Sequence, residues 1–151
     1  MKLSFATLAA TAILLTSPAF AQELPQAVKA RQGQFNIMAL NLGILGGMAR
    51  GTVDYDAEAA QTAADNLVTV SQLAQPAMWP AGTDAMSIDG TRAEPAIWDN
   101  LDDVLAKWAA FGEAATAMAE VAGTGRDAIG PNMGPLGGAC KACHDDYRAP
   151  E

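Results

Sequence analysis

The chain has 151 residues, half of them hydrophobic, with 17 acidic against nine basic side chains and a formal net charge of −8. That balance argues against nucleic acid as a partner, because counterion release from a phosphate backbone needs clustered Lys and Arg; its simplest consequence is solubility. Alanine is abundant and no run alternates as a half-buried strand would, so the elements to look for are helices.

Residues 1–21 read as a cleaved signal peptide. Lys2 opens it, an apolar run from Phe5 to Leu15 follows, and Ala19-Phe20-Ala21 supplies the small-x-small cleavage site. As a helix that run rises only about 16 Å, short of a bilayer's hydrocarbon core. No later stretch reaches the roughly 18 apolar residues of a membrane span. The expectation is an exported protein without stable membrane insertion, its mature chain a single domain over residues 22–151.

The first predicted helix covers about residues 24–50 and stops at Gly51. Val28, Arg31, Phe35, Met38, Leu42, Leu45 and Ala49 recur at spacings of three and four, as one buried stripe requires, although Arg31 is charged. The second covers about 56–74, with Asp56 as N-cap, Ala60, Ala63, Leu67, Val70 and Ala74 on one face, and Pro76 closing it. Residues 75–94 carry Pro, Gly, Asp and Ser without a helical period and form the one long connection. A loop of that length in a compact domain packs over something or carries function.

The third helix opens with Pro95 in its first turn and runs to Gly123, with Ile97, Leu101, Val104, Trp108, Phe111, Ala115, Met118 and Ala122 as its stripe. In the fourth, Pro131, Pro135 and the neighbouring glycines of "GPNMGPLGG" make a poor helix start, so regular turns are expected only after Pro135. Four amphipathic helices share one core most simply as an all-α, antiparallel four-helix bundle.

The only two cysteines and the only histidine fall together in Cys140-Lys141-Ala142-Cys143-His144. On a helix these three side chains lie within about 100° of one another in a single turn. Two thiols and one imidazole so placed hold a flat macrocycle through two thioethers and one axial nitrogen, which is the attachment pattern of c-type haem. A redox Cys-x-x-Cys pair would follow a strand, and none is visible. A structural disulfide leaves the adjacent histidine unexplained, and a zinc site lacks its fourth ligand. The few residues after His144 include no methionine, so any second axial ligand comes from another helix. Met38, Met48, Met78, Met86, Met118 and Met133 are the candidates by type.

Over residues 24–148 the chain resembles cytochrome c′, a class II cytochrome c. The resemblance rests on "CKACHDDYR" at the C-terminal end, "AVKARQGQF" in the first helix and "EPAIW" opening the third. It implies a periplasmic four-helix bundle, usually a homodimer, carrying one covalent haem c near the C-terminal helix. The iron is expected to be five-coordinate and high-spin and to bind nitric oxide and carbon monoxide. Carried over residue by residue, it makes Cys140 and Cys143 the thioether donors and His144 the iron ligand. Arg148 falls beside that ligand, Arg31 and Gln32 beside the haem propionates, and Thr91 and Arg92 in a loop at the haem edge. An arginine on a buried stripe needs a partner, and a propionate suits it.

Low-spin relatives carry an iron-ligating methionine four residues after the corresponding arginine; here that residue is Phe35, which has no donor atom. A ring over the iron would leave it five-coordinate and admit only small uncharged diatomics. The alternative is a six-coordinate low-spin electron carrier of the cytochrome c-556 type, with Met38 or another methionine as ligand. A peroxidase would need a distal acid–base pair that the chain does not supply, so no enzyme activity is expected. Ala39, Gly43, Gly46 and Gly47 form a small-residue strip on the first helix where a second copy can approach; a periplasmic redox protein is a further expected partner.

Overall fold

The computed structural model describes residues 23–150, so the predicted signal peptide lies outside the described residues. Helix α1 spans Gln26–Arg50, α2 Ala57–Ser71, α3 Ala96–Asp99, α4 Leu101–Ala119 and α5 Arg126–Tyr147, with a 3-10 turn at Pro76–Met78. The long helices pack around a square in the order α1, α2, α4, α5, and α5 closes back on α1. Consecutive helices run antiparallel: Gln61 reaches Ala119 at one end of the α2–α4 pair and Ser71 reaches Trp108 at the other. No helix among the described residues is long and apolar enough to cross a membrane.

The short connection between α1 and α2 is set by local chemistry. Gly51 ends α1 in the left-handed region (φ 70°), where its N–H reaches back to the Gly47 and Met48 carbonyls, as a glycine C-cap does. A Cβ there would also fall 2.1 Å from the Arg126 guanidinium, so the α1 terminus packs directly on the start of α5. Asp56 caps α2 as expected, its carboxylate accepting from the Ala59 N–H at 2.8 Å. The main core joins Leu45 and Met48 of α1, Ala60, Ala63 and Leu67 of α2, Phe111, Ala115 and Met118 of α4, and Ile129 and Leu136 of α5.

Three expectations are corrected. The predicted third helix is interrupted: Asn100 leaves helical geometry (φ −132°, ψ 38°), and its side-chain amide donates to the Ala96 carbonyl at 2.9 Å. An asparagine that bonds its own backbone competes with the helix ladder, so α3 ends and α4 restarts. The fourth helix, conversely, starts not after Pro135 but at Arg126 and carries both prolines inside. Pro131 and Pro135 are four residues apart and exposed, as are Asp127 and Pro131, the residues whose carbonyls lose an N–H partner. The freed acceptors therefore face water, while Ile129 and Leu136 stay fully buried and hold the helix by packing.

The small-residue strip on α1 is only half open. Gly46 lies under Arg50 and Met133, and Gly47 under Val53, whereas Gly43 faces open space. The most exposed large apolar side chains on that helix are instead Leu40 and Ile37.

Residues 72–95, the long connection, fold over the end of the bundle that holds the start of α1 and the finish of α5. Gln75, Thr83 and Asp84 are buried within it. Its last residues pair with the C-terminal tail: Ala93 and Arg148 form an antiparallel bridge, the Glu94 N–H donates to the Tyr147 carbonyl at 3.0 Å, and the Ala149 N–H to the Arg92 carbonyl at 2.9 Å.

Candidate functional site

At that end of the bundle lies a cavity of about 420 Å³, within the size range of small-molecule sites. All nine predicted site residues line it: Arg31, Gln32, Phe35, Thr91, Arg92, Cys140, Cys143, His144 and Arg148. They come from α1, the long connection and α5, so only the tertiary fold brings them together.

The α5 wall follows from helical spacing. Cys140, Cys143, His144 and Tyr147 recur at three, four and seven residues and share the face turned to the cavity. The two thiols are half-buried and free, not joined in a disulfide. Burial raises the pKa of each, the first cause in both, so both stay protonated and neutral at neutral pH. Burial lowers the pKa of His144, and the cations Arg148 and Arg92 add to the effect. The ring is therefore held neutral, with a nitrogen lone pair available to a metal.

On α1, Arg31 is only 2% exposed, which excludes a side chain reaching out to water. Its guanidinium donates to the Thr83 carbonyl and the Thr91 hydroxyl at 2.9 Å each, and to the Thr83 hydroxyl at 3.2 Å and the Met78 carbonyl at 3.3 Å. It also lies over the Trp79 ring at 4.5 Å. Four of its five N–H donors thus hold the long connection, while its charge meets no carboxylate among the described residues. Burial pushes its pKa down. Gln32 supports the same loop, donating to the Gly90 carbonyl at 2.6 Å.

The remaining wall is apolar. Phe35, Met38 and Leu42 of α1 face Trp108 and Phe111 of α4 around the cavity. Phe35 is 36% exposed and so is cavity lining rather than filled core; of the predicted α1 stripe, Leu42 and Ala49 are also only half-buried. Met38 is buried on the same wall, whereas Met118 belongs to the main core away from the cavity. Lys107 completes the lining, holding Asp103 at 3.2 Å and Asp146 at 3.3 Å.

Several lining residues were not singled out from the sequence. Tyr147 was legible, since it falls seven residues after Cys140 on the motif's own face. Gln75 and Trp79 lie in a segment without periodicity and carried no signal. Gln75 pairs its side-chain amide reciprocally with buried Gln34, at 3.0 and 3.1 Å, and that partnership exists only in the fold.

The family model described as Cytochrome C′ matches residues 26–148. A cytochrome c′ of Cereibacter sphaeroides is 40% identical over 134 residues, covering 89% of this chain and 90% of the relative. The solved cytochrome c′ from Rhodobacter spheriodes superposes with a TM-score of 0.80 at 40% identity, covering 83% of this chain and 97% of its own. A second cytochrome c′ structure, described as having an unusual ligand-controlled dimer dissociation, superposes with a TM-score of 0.75 at 29% identity over 85% of this chain and all of its own.

Proposed function

Since the chain belongs to the cytochrome c′ family, whose members bind covalent haem c, we propose that its cavity holds one haem c with a five-coordinate, high-spin iron that binds small diatomic gases. The residues present fit that group. Two free, neutral thiols and a neutral imidazole stand on one helical face of a cavity with largely apolar walls. Cys140 and Cys143 would hold the haem through thioethers, and His144 would offer its ring nitrogen to the iron. Bound there, the haem supplies an iron with an open coordination position and a one-electron couple.

The chain's own residues decide what reaches it. Phe35 offers a ring instead of a donor atom and, with Trp108 and Phe111, makes that wall apolar. Anions leave water at high cost to enter such a surround, whereas neutral diatomics do not. Arg92, Arg148 and Arg31 line the cavity, where a haem's carboxylates need cationic partners; Arg31 brings a buried charge without a carboxylate of its own among the described residues.

The observation that carries this reading is Phe35 on the cavity wall, four residues after Arg31, where a ligating side chain would otherwise stand. The ferrous absorption spectrum of the purified holoprotein tests it. A broad high-spin band that sharpens on adding carbon monoxide is expected; a sharp low-spin band without added ligand would overturn the reading.

Met38 favours a second reading, a six-coordinate electron carrier, because its buried side chain lines the same cavity. In either case the protein works as an exported, periplasmic haem protein without enzyme activity, exchanging electrons with a periplasmic partner. It pairs with a second copy through the exposed Ile37, Leu40 and Gly43 face of α1. Sedimentation of Leu40→Glu at micromolar concentration checks the pairing, with a shift from dimer to monomer expected.

A further inference from the structure

Helices α1 and α4 stand on a diagonal of the bundle and do not pack backbone to backbone, yet two of their rings meet. Phe35 and Trp108, both lining the cavity, lie with centroids 6.2 Å apart at 74°, an edge-to-face contact. Trp108 in turn packs on Phe111 at 5.5 Å. A half-buried tryptophan has several rotamers, so something must hold this one in place.

The holder lies outside the cavity. The Trp108 indole N–H donates to the Ser71 carbonyl at 2.8 Å. Ser71 is the last residue of α2, where helical carbonyls lack an intrahelical partner, so this acceptor has a lone pair to offer. The bond needs α2 and α4 to approach closely, and Gly112 permits it. A Cβ at Gly112 would lie 3.2 Å from Ser71 Oγ and 3.3 Å from its Cβ, so a side chain there requires Ser71 to give by a few tenths of an ångström. Gly112 is one turn after Trp108 on the same helix and does not line the cavity.

We infer that Trp108 is a residue determining the size of ligand admitted to the haem's open face, with Ser71 and Gly112 positioning it from outside. The inference rests on the five-coordinate reading above. The indole bridges α4 to Phe35 and narrows the space beside that ring. Its bond to Ser71 prevents the rotation that would widen it. Diatomics pass this aperture unaffected, whereas a ligand with an added alkyl group is excluded by the indole edge.

The test compares carbon monoxide with ethyl isocyanide on the ferrous holoprotein, as the ratio of their affinities. Trp108→Phe, which shortens the ring and removes the N–H, is expected to raise the ethyl isocyanide to carbon monoxide ratio about tenfold, the scale on which a pocket senses one or two carbons. Gly112→Ala, which touches neither ligand, is expected to raise it in the same direction by a smaller factor; a purely structural role would lower thermal stability without moving the ratio. A high-spin wild-type protein whose ratio stays within twofold in both variants would overturn this inference alone. A low-spin wild-type spectrum would overturn the open face itself, and the inference with it.

Discussion

Arg31 grips Thr83 twice, through the backbone carbonyl at 2.9 Å and the side-chain hydroxyl at 3.2 Å, although 52 residues separate them. The same guanidinium holds Thr91, so one side chain from α1 fixes both halves of the connection that closes the cavity. Arg31→Ala would leave four oxygens buried or half-buried without this donor, which places the loss at about 2–4 kcal/mol. Arg31→Lys would not restore it, because a single ammonium cannot copy the planar fork. Thermal unfolding gives the magnitude. Hydrogen exchange at the Ala85 amide, bonded to the Ala93 carbonyl at 2.8 Å, reports whether the loop has opened.

The absence of a donor at Phe35 is reversible. Phe35→Met puts a thioether on the cavity wall, and its ferrous spectrum is expected to become low-spin while carbon monoxide affinity falls at least tenfold, a difference of about 1.4 kcal/mol. Met38→Leu is expected to leave the spectrum as it is. A high-spin signal appearing only in Met38→Leu would assign the axial bond to Met38 instead.

Helix α5 carries features that packing tolerates but does not need. Would-be Cβ atoms at Gly130, Gly134, Gly137 and Gly138 meet nothing within 4 Å. Gly134→Ala is therefore expected to stabilise the fold by about 0.5–1 kcal/mol, since alanine costs less backbone entropy in a helix. Pro135→Ala restores an N–H to the Pro131 carbonyl, with a gain of about 1–3 kcal/mol. Denaturant titration of each variant checks both. A loss at Gly134→Ala would mean that this face is covered in solution.

The Tyr147 hydroxyl donates to the Asp103 carboxylate at 2.6 Å, and this bond first, then burial, pushes the phenol up to about 12. The folded chain holds the proton more tightly than the unfolded chain does, where the phenol titrates near about 10. The stabilisation is thus complete below about pH 10 and disappears as pH rises through about 12. Asp103→Ala is expected to bring the midpoint down toward about 10 in an ultraviolet difference titration, with Tyr147→Phe identifying the signal. An unmoved midpoint would show that burial, not Asp103, sets the shift.

Much of the molecule was legible before any coordinates. Helix period placed α1 and α2 and most of the α4 stripe, because burying one face of a helix is a local demand repeated every turn. The spacing of Cys140, Cys143 and His144 carried their common face, since three, four and seven residues are neighbours on any α-helix. The third and fourth helices depart from expectation for opposite reasons: at Asn100 a side chain's own preference outweighs the apolar stripe, and at the two prolines packing overrules it. A side chain's own preference is visible in sequence, but the packing that overrules it is not. Pro131 and Pro135 stay helical because Ile129 and Leu136 are fully buried beside them; Asn100 breaks its helix because its amide takes the Ala96 carbonyl instead.

The residues alone were enough for α1, α2, most of the α4 stripe and the haem-attachment motif, all of which are properties of near neighbours along the chain; the meaning of Phe35 came from the resemblance to class II cytochromes c. The fold alone shows that the nine predicted site residues, from three segments, line one cavity, that Arg31 holds a loop as well as bringing charge, and that Trp108 is anchored on Ser71. These depend on helices meeting at particular heights and angles, and a contact between distant residues leaves no period in the sequence to read.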